Sequence, residues 1–271
     1  MRFIVLLISF ISLSACSMFG TERVRHNKTT SLVQFLYPDG VIPQDLASPV
    51  LQLPLRVGLA YVPGNHQSGS LDPALKLELL NQVKQSFTNL DYVDRIEIIP
   101  ELYMSGHNQG HQLDQLRQLY QLDVMALISY DQLVNRKENL LAVTYLTIAG
   151  NYIFPGSHFN VSTLIDLAVI DLQSKRLLFR AAGTNSSKGT TAEAYTRHQY
   201  DKHQANDFVS AMHLMVSHLG TELINFERRL KEQRPGEEIR VEARPGYKMS
   251  VDWSILLISG LIILARTFSQ S

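Results

Sequence analysis

The feature that most constrains this chain is its only cysteine, Cys16, which ends a hydrophobic N-terminal segment. Arg2 precedes an apolar run over residues 3–13, and the tripeptide Leu-Ser-Ala comes directly before Cys16. A charged start, a short apolar core and small residues before a cut are typical of a secretory signal peptide. With cysteine at the cut, the pattern predicts a lipoprotein signal over residues 1–15, cleaved between Ala15 and Cys16. The alternatives are an ordinary signal peptide and a short anchor helix that contains Cys16.

Acylation of Cys16 would determine how the fold is held together and where it resides. No disulfide could form, so packing alone would stabilise the domain. Two or three acyl chains, at about 0.8 kcal/mol for each buried methylene, would anchor the protein in a bilayer. The next residue is Ser17, not the aspartate that usually retains such proteins in the inner membrane of Gram-negative bacteria. The predicted location is the outer membrane of the cell envelope, facing the periplasm. The alternative is association with the inner membrane through a C-terminal hydrophobic helix.

The charge balance limits the class of partner. The chain has 25 basic and 25 acidic residues, so its formal charge is zero. Because no long-range field attracts a polyanion, nucleic acid is not an expected partner. Roughly 220 residues lie between the signal and a hydrophobic tail, which is enough for one domain with its own core.

The first part of the mature chain, residues 16–54, carries no clear regular element. Residues 21–30 are polar and basic, and they are interpreted as a tether to the lipid. The following segment SLVQFLYPDG is apolar before its proline. It predicts a short helix or turn docked on the domain, the alternative being a free linker.

The next part of the chain alternates between strands and helices. Apolar runs predict strands at residues 55–62, 93–99 and 123–133. Leucines and aromatic residues spaced by three and four predict amphipathic helices at residues 72–88 and 113–122. This βαβαβ order is typical of a sheet with helices packed against it.

The second half changes to strand-like runs at residues 140–154, 161–172 and 177–184, with no helix between them. Turn residues at Pro155-Gly156 and at 173–175 predict hairpins, and hence an antiparallel meander that continues the sheet. The run at 140–154 could alternatively be a membrane span, but its polar residues and its length favour a strand.

A long helix is predicted from residue 190 to residue 232, because apolar side chains recur on one face. The predicted fold class is therefore α/β (α+β). A βαβαβ unit is followed by an antiparallel β-meander and a long C-terminal helix, in a single domain over residues 55–232. A linker over 233–250 and a hydrophobic tail over 251–271 complete the chain.

Several sequence blocks resemble those of the rhombotarget lipoprotein family. They occur in this order behind the signal: SLVQFLYPDG, LPLRVGLAYVP, LDVMALISYDQ, GNYIFPG and STLIDLAVIDLQSKRLLFRAAGT, then Lys188-Gly189. The resemblance implies a lipid-modified domain followed by a C-terminal sorting signal. It also implies that the chain has rhombosortase, an intramembrane serine protease of the rhomboid type, as a partner that cleaves it. The resemblance does not identify a biochemical activity for the domain.

The tail agrees with this implication only in part. Residues 253–265 are uncharged and would form a helix about 20 Å long, against about 30 Å of hydrocarbon. This marginal membrane helix places the candidate processing region at Gly246, Ser250 and Ser254. The family pattern has a glycine pair before the helix, whereas this chain offers only Gly246. The alternative is a last apolar helix packed on the domain.

The search for catalytic or metal-binding residues finds little. His107 and His111 are four apart, but the glycines beside them predict a loop. Two further histidine pairs are five apart and so lie on different helix faces: His198 with His203, and His213 with His218. Asp166 and Asp171 point to opposite faces of one strand and are interpreted as an edge ion-pair residue and a turn residue.

The resulting hypothesis is a non-catalytic protein-interaction module that uses no cofactor or metal and binds an unknown envelope protein. The alternative is a periplasmic hydrolase with an unrecognised site. A cleft that holds His107, His111 and a carboxylate would favour the hydrolase. A bare apolar patch around Phe35, Leu36 and Tyr37 would favour the interaction module.

Overall fold

The order of elements follows the predicted change from alternating strands and helices to successive strands. The computed structural model describes residues 23–37, 40–41, 47–64, 72–88, 90–105, 109–138, 157–192, 195–232 and 239–246. The strands are β1 Arg23–Lys28, β2 Val50–Leu53, β3 Leu55–Tyr61, β4 Val93–Ile98, β5 Val124–Glu138, β6 Ser157–Asp171, β7 Leu177–Thr191 and β8 Arg240–Ala243. The helices are α1 Leu32–Leu36, α2 Pro73–Thr88, α3 Gln109–Tyr120 and α4 Thr196–Glu232, with a 3-10 turn at Glu101–Met104.

The main sheet has the order β4-β3-β5-β6-β7, and β1 is added beside β5. β3 is parallel to both β4 and β5, as expected when helices connect the strands. β5, β6 and β7 are antiparallel to one another. The chain is thus a single α/β domain with a βαβαβ unit, a meander and a long helix, which confirms the predicted fold class.

Two of the three predicted meander strands are confirmed, because the runs at 161–172 and 177–184 correspond to β6 and β7. The described meander also includes a strand that was assigned to the preceding unit. Its first strand is β5, which continues to Glu138 and pairs with β6 along all of its length. The predicted strand at 140–154 and the turn at Pro155-Gly156 lie outside the described residues. The predicted turn at 173–175 does join β6 to β7, and Lys175 takes a positive φ of 60° there.

The boundaries of the last strand and of α4 were also predicted imperfectly. β7 continues to Thr191, so the prediction that the long helix begins at residue 190 is wrong. Small polar residues after Thr184 extend β7 because their backbone groups pair with those of β6.

The N-terminal part of the domain is more ordered than the sequence predicts. Arg23–Lys28 forms β1, antiparallel to the second half of β5, so the interpretation of this segment as a tether is wrong. The predicted docking helix is confirmed as α1, since Phe35 on it is fully buried. Ser31 caps this helix, its Oγ accepting a hydrogen bond from the Gln34 backbone N–H at 3.1 Å.

The sheet is covered on its two faces by different helices. α2 and α4 pack on one face, where the largest buried cluster contains Phe87 of α2 and Phe208 of α4. α1 and α3 pack on the opposite face through Phe35 and Leu113. α4 lies very close to β7, because a Cβ placed on Gly183 would be 2.1 Å from the carbonyl oxygen of Ala211.

A second, two-stranded sheet joins β2 to β8 in parallel. β8 lies within the predicted linker over 233–250, so part of that segment belongs to the fold. Arg244 follows β8, and its Nη2 donates to both oxygens of Asp123 at 2.7 and 2.8 Å. Arg56 donates to the same carboxylate from its backbone N at 2.8 Å and from Nη2 at 3.1 Å. Asp123 therefore connects both sheets at the start of β5.

Candidate interaction face

One face of β5, β6 and β7 is an accessible surface built from regular structure. Its side chains alternate with those that point towards α4, as the period of two in a strand requires. We call it the outer face and define it by twelve residues, all of them exposed or half-buried: Asp131, Leu133, Asn135, Lys137, His158, Asn160, Ser162, Leu164, Thr184, Ser186, Lys188 and Thr190.

The strand register arranges the outer face in rows. Leu133 pairs with Ser162, which pairs with Ser186, and the neighbouring rows follow the same pattern. The hydroxyl oxygens of Ser162 and Ser186 are 3.1 Å apart, and Ser186 also donates to Asn160 Oδ1 at 3.2 Å. These bonds orient the side chains across the strands, so the face offers a fixed set of hydrogen-bonding groups.

Shallow cavities follow the outer face from α1 towards the far end of the strands. The first, of about 830 Å³, lies between Ser31 of α1 and the strands, and Arg180 and Asp166 line it. The next two have volumes of about 620 and 610 Å³. Leu164 lines both of the first two cavities and is 44% exposed, so it provides an apolar centre in a polar surface.

The charges of the outer face are unevenly distributed. Asp131 lies at the end near α1, whereas Lys137 and Lys188 lie towards the far end. An ion pair between Arg180 Nη2 and Asp166 Oδ1 at 2.9 Å lies beside the acidic end. This arrangement can bind a polar partner in one orientation, because hydrogen bonds and charge complementarity together determine register.

The opposite side of the same strands contains a buried polar layer under α4. Gln132 Nε2 donates to Thr163 Oγ1 at 2.8 Å and to the backbone carbonyl of Gln204 at 2.9 Å. Asn185 Nδ2 donates to Asp207 Oδ1 at 2.8 Å. The strand register places Gln132, Thr163 and Asn185 in one row. α4 is therefore held on the sheet by directional bonds as well as by apolar packing.

Some polar atoms of this layer have no hydrogen-bond partner within the described part of the chain. They are Gln132 Oε1, Gln204 Nε2 and Asp207 Oδ2. Asp207 is only 2% exposed, so one oxygen of a buried carboxylate is left without compensation. Such groups cost free energy, because burial removes the water that would otherwise bind them.

A second group of ionisable residues lies at the carboxyl end of β3, where α/β sheets commonly bind ligands. Lys76 Nζ lies 5.4 Å from the ring centre of Tyr61 and 5.7 Å from that of Tyr130, and it pairs with Glu101 at 2.9 Å. Burial raises the pKa of Tyr61, and Tyr130 and Glu101 raise it further. Burial, then Glu101, raises the pKa of Tyr130 to about 12. Both phenols thus stay protonated at neutral pH, which makes them poor general bases.

Most of the predicted site residues cannot be placed. Ala15, Cys16, Ser250 and Ser254 lie outside the described residues. Gly246 is described and occupies a turn with a φ of +90°, a conformation that glycine adopts readily. No helix among the described residues is long and apolar enough to cross a membrane.

The histidine pairs considered in the sequence are described only in part. His107 lies outside the described residues, and the prediction of a loop at Gly110 and His111 is wrong, because α3 begins at Gln109. His203 Nδ1 lies 3.3 Å from Ser187 Oγ. Within the described ranges, no group of three histidine, cysteine, aspartate or glutamate side chains could hold a metal ion.

The predicted roles of the two aspartates of β6 are confirmed. Asp166 pairs with Arg180 on the neighbouring strand. Asp171 Oδ2 accepts from the backbone N of Ser174 at 2.7 Å and from its Oγ at 2.5 Å, which stabilises the turn to β7. The bare apolar patch that would have favoured the interaction module is not found at these residues, since Phe35 is fully buried and Leu36 and Tyr37 are half-buried.

Sequence reasoning missed the outer face and the buried polar layer. A signal for the outer face was present, because small polar residues alternate in the segment TNSSKGTT of β7. A half-polar strand of this kind typically has one accessible face. The buried layer gives no comparable signal, since its members are far apart in sequence and meet only through strand register.

No protein-family model matches the chain, and no curated protein matches it. Among solved structures, it is similar to a PelC dodecamer variant from Paraburkholderia phytofirmans, with 10% identity, 72% of this chain and 99% of that chain covered, and a TM-score of 0.24. It is also similar to the hypothetical protein CT253 from Chlamydia trachomatis, with 12% identity, coverage of 68% and 97%, and a TM-score of 0.28. TM-scores this low support no argument about fold or function.

Proposed function

We propose that this chain is a lipid-anchored lipoprotein of the bacterial envelope and acts as a non-catalytic interaction module for another envelope protein. The observation that carries the interaction role is the outer face, where twelve accessible side chains are arranged by strand register. The N-terminal signal that ends at Cys16 supports the anchor. No catalytic family matches the chain, and no observation within the described residues favours the alternative of a hydrolase.

The distance between anchor and fold is short under this proposal. β1 begins at Arg23, seven residues after Cys16. Seven residues span at most about 25 Å when fully extended. The domain would therefore stay close to the periplasmic side of the outer membrane, where it can bind a membrane-associated partner.

We further propose that a rhombosortase-type protease cleaves the chain in the region of Gly246, Ser250 and Ser254. Support comes from the resemblance described above and from the position of this region after the last described contacts of the domain. Arg244 binds Asp123 and the Leu53 carbonyl, so a cut beyond Gly246 would leave those bonds intact.

The anchor is tested by metabolic labelling with an alkynyl fatty acid. The wild type should incorporate the label and fractionate with the outer membrane. Cys16→Ser removes the acylation site, so this variant should lose the label and remain an unprocessed precursor. Label retained on Cys16→Ser would show that the lipoprotein assignment is wrong.

The interaction role is tested by photo-crosslinking in the intact envelope. A crosslinking amino acid replaces Leu164 on the outer face or Leu214 on α4; these leucines are 44% and 40% exposed and lie on opposite sides of the sheet. Position 164 should give a discrete adduct, and Ser186→Arg on the same face should abolish it. Equal adducts from position 214, or no effect of Ser186→Arg, would exclude the outer face as the binding surface.

A further inference from the structure

Arg23 and Arg244, which we call the two exits of the described domain, lie at opposite ends of β5. Arg23, the first residue of β1, pairs with Arg136 near the end of β5. Arg244, just before the last described residues, contacts Asp123 at the start of β5. The ladder between β5 and β6 runs without a bulge from Val124 to Glu138. Asp123 and Arg136 are thirteen residues apart, which corresponds to about 43 Å at about 3.3 Å per residue.

Both exits are fixed to the sheet. All six residues of β1 pair with β5, so the entry cannot move along the strand. At the other end, the backbone N of Arg244 donates to the Leu53 carbonyl at 2.9 Å, in addition to the bonds from its guanidinium to Asp123. The distance between the exits is therefore a property of the folded domain.

The segments outside these exits are shorter than β5. Cys16 and Arg23 are seven positions apart, so the segment between them reaches at most about 25 Å. Arg244 and Trp253, where the uncharged part of the tail begins, are nine positions apart, so the segment between them reaches at most about 32 Å. Neither segment spans the length of β5 by itself.

We propose that β5 cannot lie perpendicular to the bilayer while Cys16 and the tail are both held in that bilayer. An upright β5 would lift one exit about 43 Å above the other, and neither segment can reach that far. The domain therefore lies inclined along the membrane. Cleavage after Gly246 allows the domain to rotate away from the bilayer about the end that is anchored by the lipid. Processing of the tail thus changes how the outer face is presented. This inference rests on the proposed anchors at both ends.

The test uses the lipidated full chain in liposomes that contain a fluorescent headgroup acceptor. Because the sulfur of Cys16 is blocked by lipid, a single introduced cysteine carries the donor dye. Gln118→Cys labels the end near Asp123, and Lys188→Cys labels the end near Arg136; both side chains are exposed. Energy transfer reports the height of each label above the bilayer.

In the full chain, both labels should show strong transfer. In a chain that ends at Gly246, transfer from position 118 should fall at least twofold, because that end is released. The decisive comparison inserts 30 glycine and serine residues after Gly246 and keeps the tail. Since this insert extends to about 100 Å, transfer from position 118 should fall as it does in the shortened chain. Unchanged transfer after the insertion would overturn the proposed orientation.

Intact-mass analysis and alkaline extraction of the same liposomes distinguish a failure of the proposed anchoring from a failure of the proposed orientation. Absence of lipid on Cys16, or a tail that is not held in the bilayer, would overturn the proposed anchoring and this inference with it. If both anchors are present and the insertion has no effect, only the orientation is refuted.

Discussion

Arg244 Nη2 lies 2.7 and 2.8 Å from the two carboxylate oxygens of Asp123, although 121 positions separate these residues in the chain. Arg56 binds the same carboxylate, so a single half-buried side chain links β3, β5 and the segment after β8. Burial alone would raise the pKa of Asp123. Hydrogen bonds from Arg56 and Arg244 outweigh burial and hold this pKa below its ordinary value.

Asp123→Asn should destabilise the domain in a pH-dependent way. A lowered folded-state pKa means that the stabilisation is present above the unfolded-state pKa of about 3.9 and is lost as the pH falls through the folded-state value. Loss of charged hydrogen bonds predicts a decrease of about 1–3 kcal/mol in the free energy of unfolding at pH 7. Urea denaturation should show this difference shrinking below about pH 4.

Arg240→Ala is the control for this prediction, because Arg240 is an exposed arginine on β8, four residues before Arg244. It should change the free energy of unfolding by less than about 0.5 kcal/mol. A difference between wild type and Asp123→Asn that is the same at all pH values would contradict the charge-based explanation.

The order of the main elements could be predicted because their apolar residues have clear periods. β3 and the start of β5 are rich in apolar residues, and α2 repeats leucines at helical spacing. β1 could not be recognised in the same way. Its sequence RVRHNK is polar, and it is a strand because it pairs with β5. Local sequence does not reveal stabilisation that comes from a partner more than 100 residues away.

The candidate surface was harder to predict than the fold for the same reason. The alternation in β7 indicates an accessible side, but the register with β5 and β6 decides which residues share it. The buried contact of Gln132 with Gln204 also depends on where α4 crosses the sheet. Such tertiary relationships have no signal in a single sequence.

Gly183→Ala should destabilise the contact between β7 and α4. A Cβ at position 183 would lie 2.1 Å from the Ala211 carbonyl oxygen and 2.5 Å from the Met215 backbone nitrogen, and helix backbone cannot move as a side chain can. Overpacking of this kind costs about 1–3 kcal/mol. Thermal unfolding followed by circular dichroism measures the effect.

Gly220→Ala is the matched control, because Gly220 lies within α4 and a Cβ there meets no atom within 4 Å. Alanine in a helix interior is favoured over glycine by about 0.5–1 kcal/mol, so this variant should unfold at a higher temperature. Equal destabilisation by both substitutions would show that the close approach at Gly183 is not the cause.

The buried pair of Asn185 and Asp207 should respond asymmetrically to substitution. Asn185→Ala removes the bond to Asp207 Oδ1, so neither oxygen of this buried carboxylate would keep a hydrogen-bond partner among the described residues, which should cost about 1–3 kcal/mol. Replacement of both residues by leucine removes the charge together with its partner and should cost much less. The free energies of unfolding of both variants, measured by denaturation, test this expectation. A double variant less stable than Asn185→Ala would contradict the explanation.

Residues 23–246 should fold more stably than residues 55–232 expressed alone. The shorter chain lacks β1, the fully buried Phe35 and the Arg244 contact with Asp123. Loss of one large buried side chain typically costs about 3–5 kcal/mol. Both chains are compared by size-exclusion chromatography and urea denaturation. Equal stability would mean that residues 23–54 and 240–246 are dispensable for the fold.

The mature protein should lack the residues beyond about Ser254. Release of a molecule held at both ends in the inner membrane would require extraction of the tail, whereas a cut between Gly246 and Ser254 leaves only the lipid on Cys16. Intact-mass analysis of the membrane-extracted protein decides between the two forms. A shorter species that disappears in a strain without rhombosortase would support cleavage. A mass that includes residues 253–271 would contradict proteolytic maturation and leave a protein with both proposed anchors, the lipid on Cys16 and the tail.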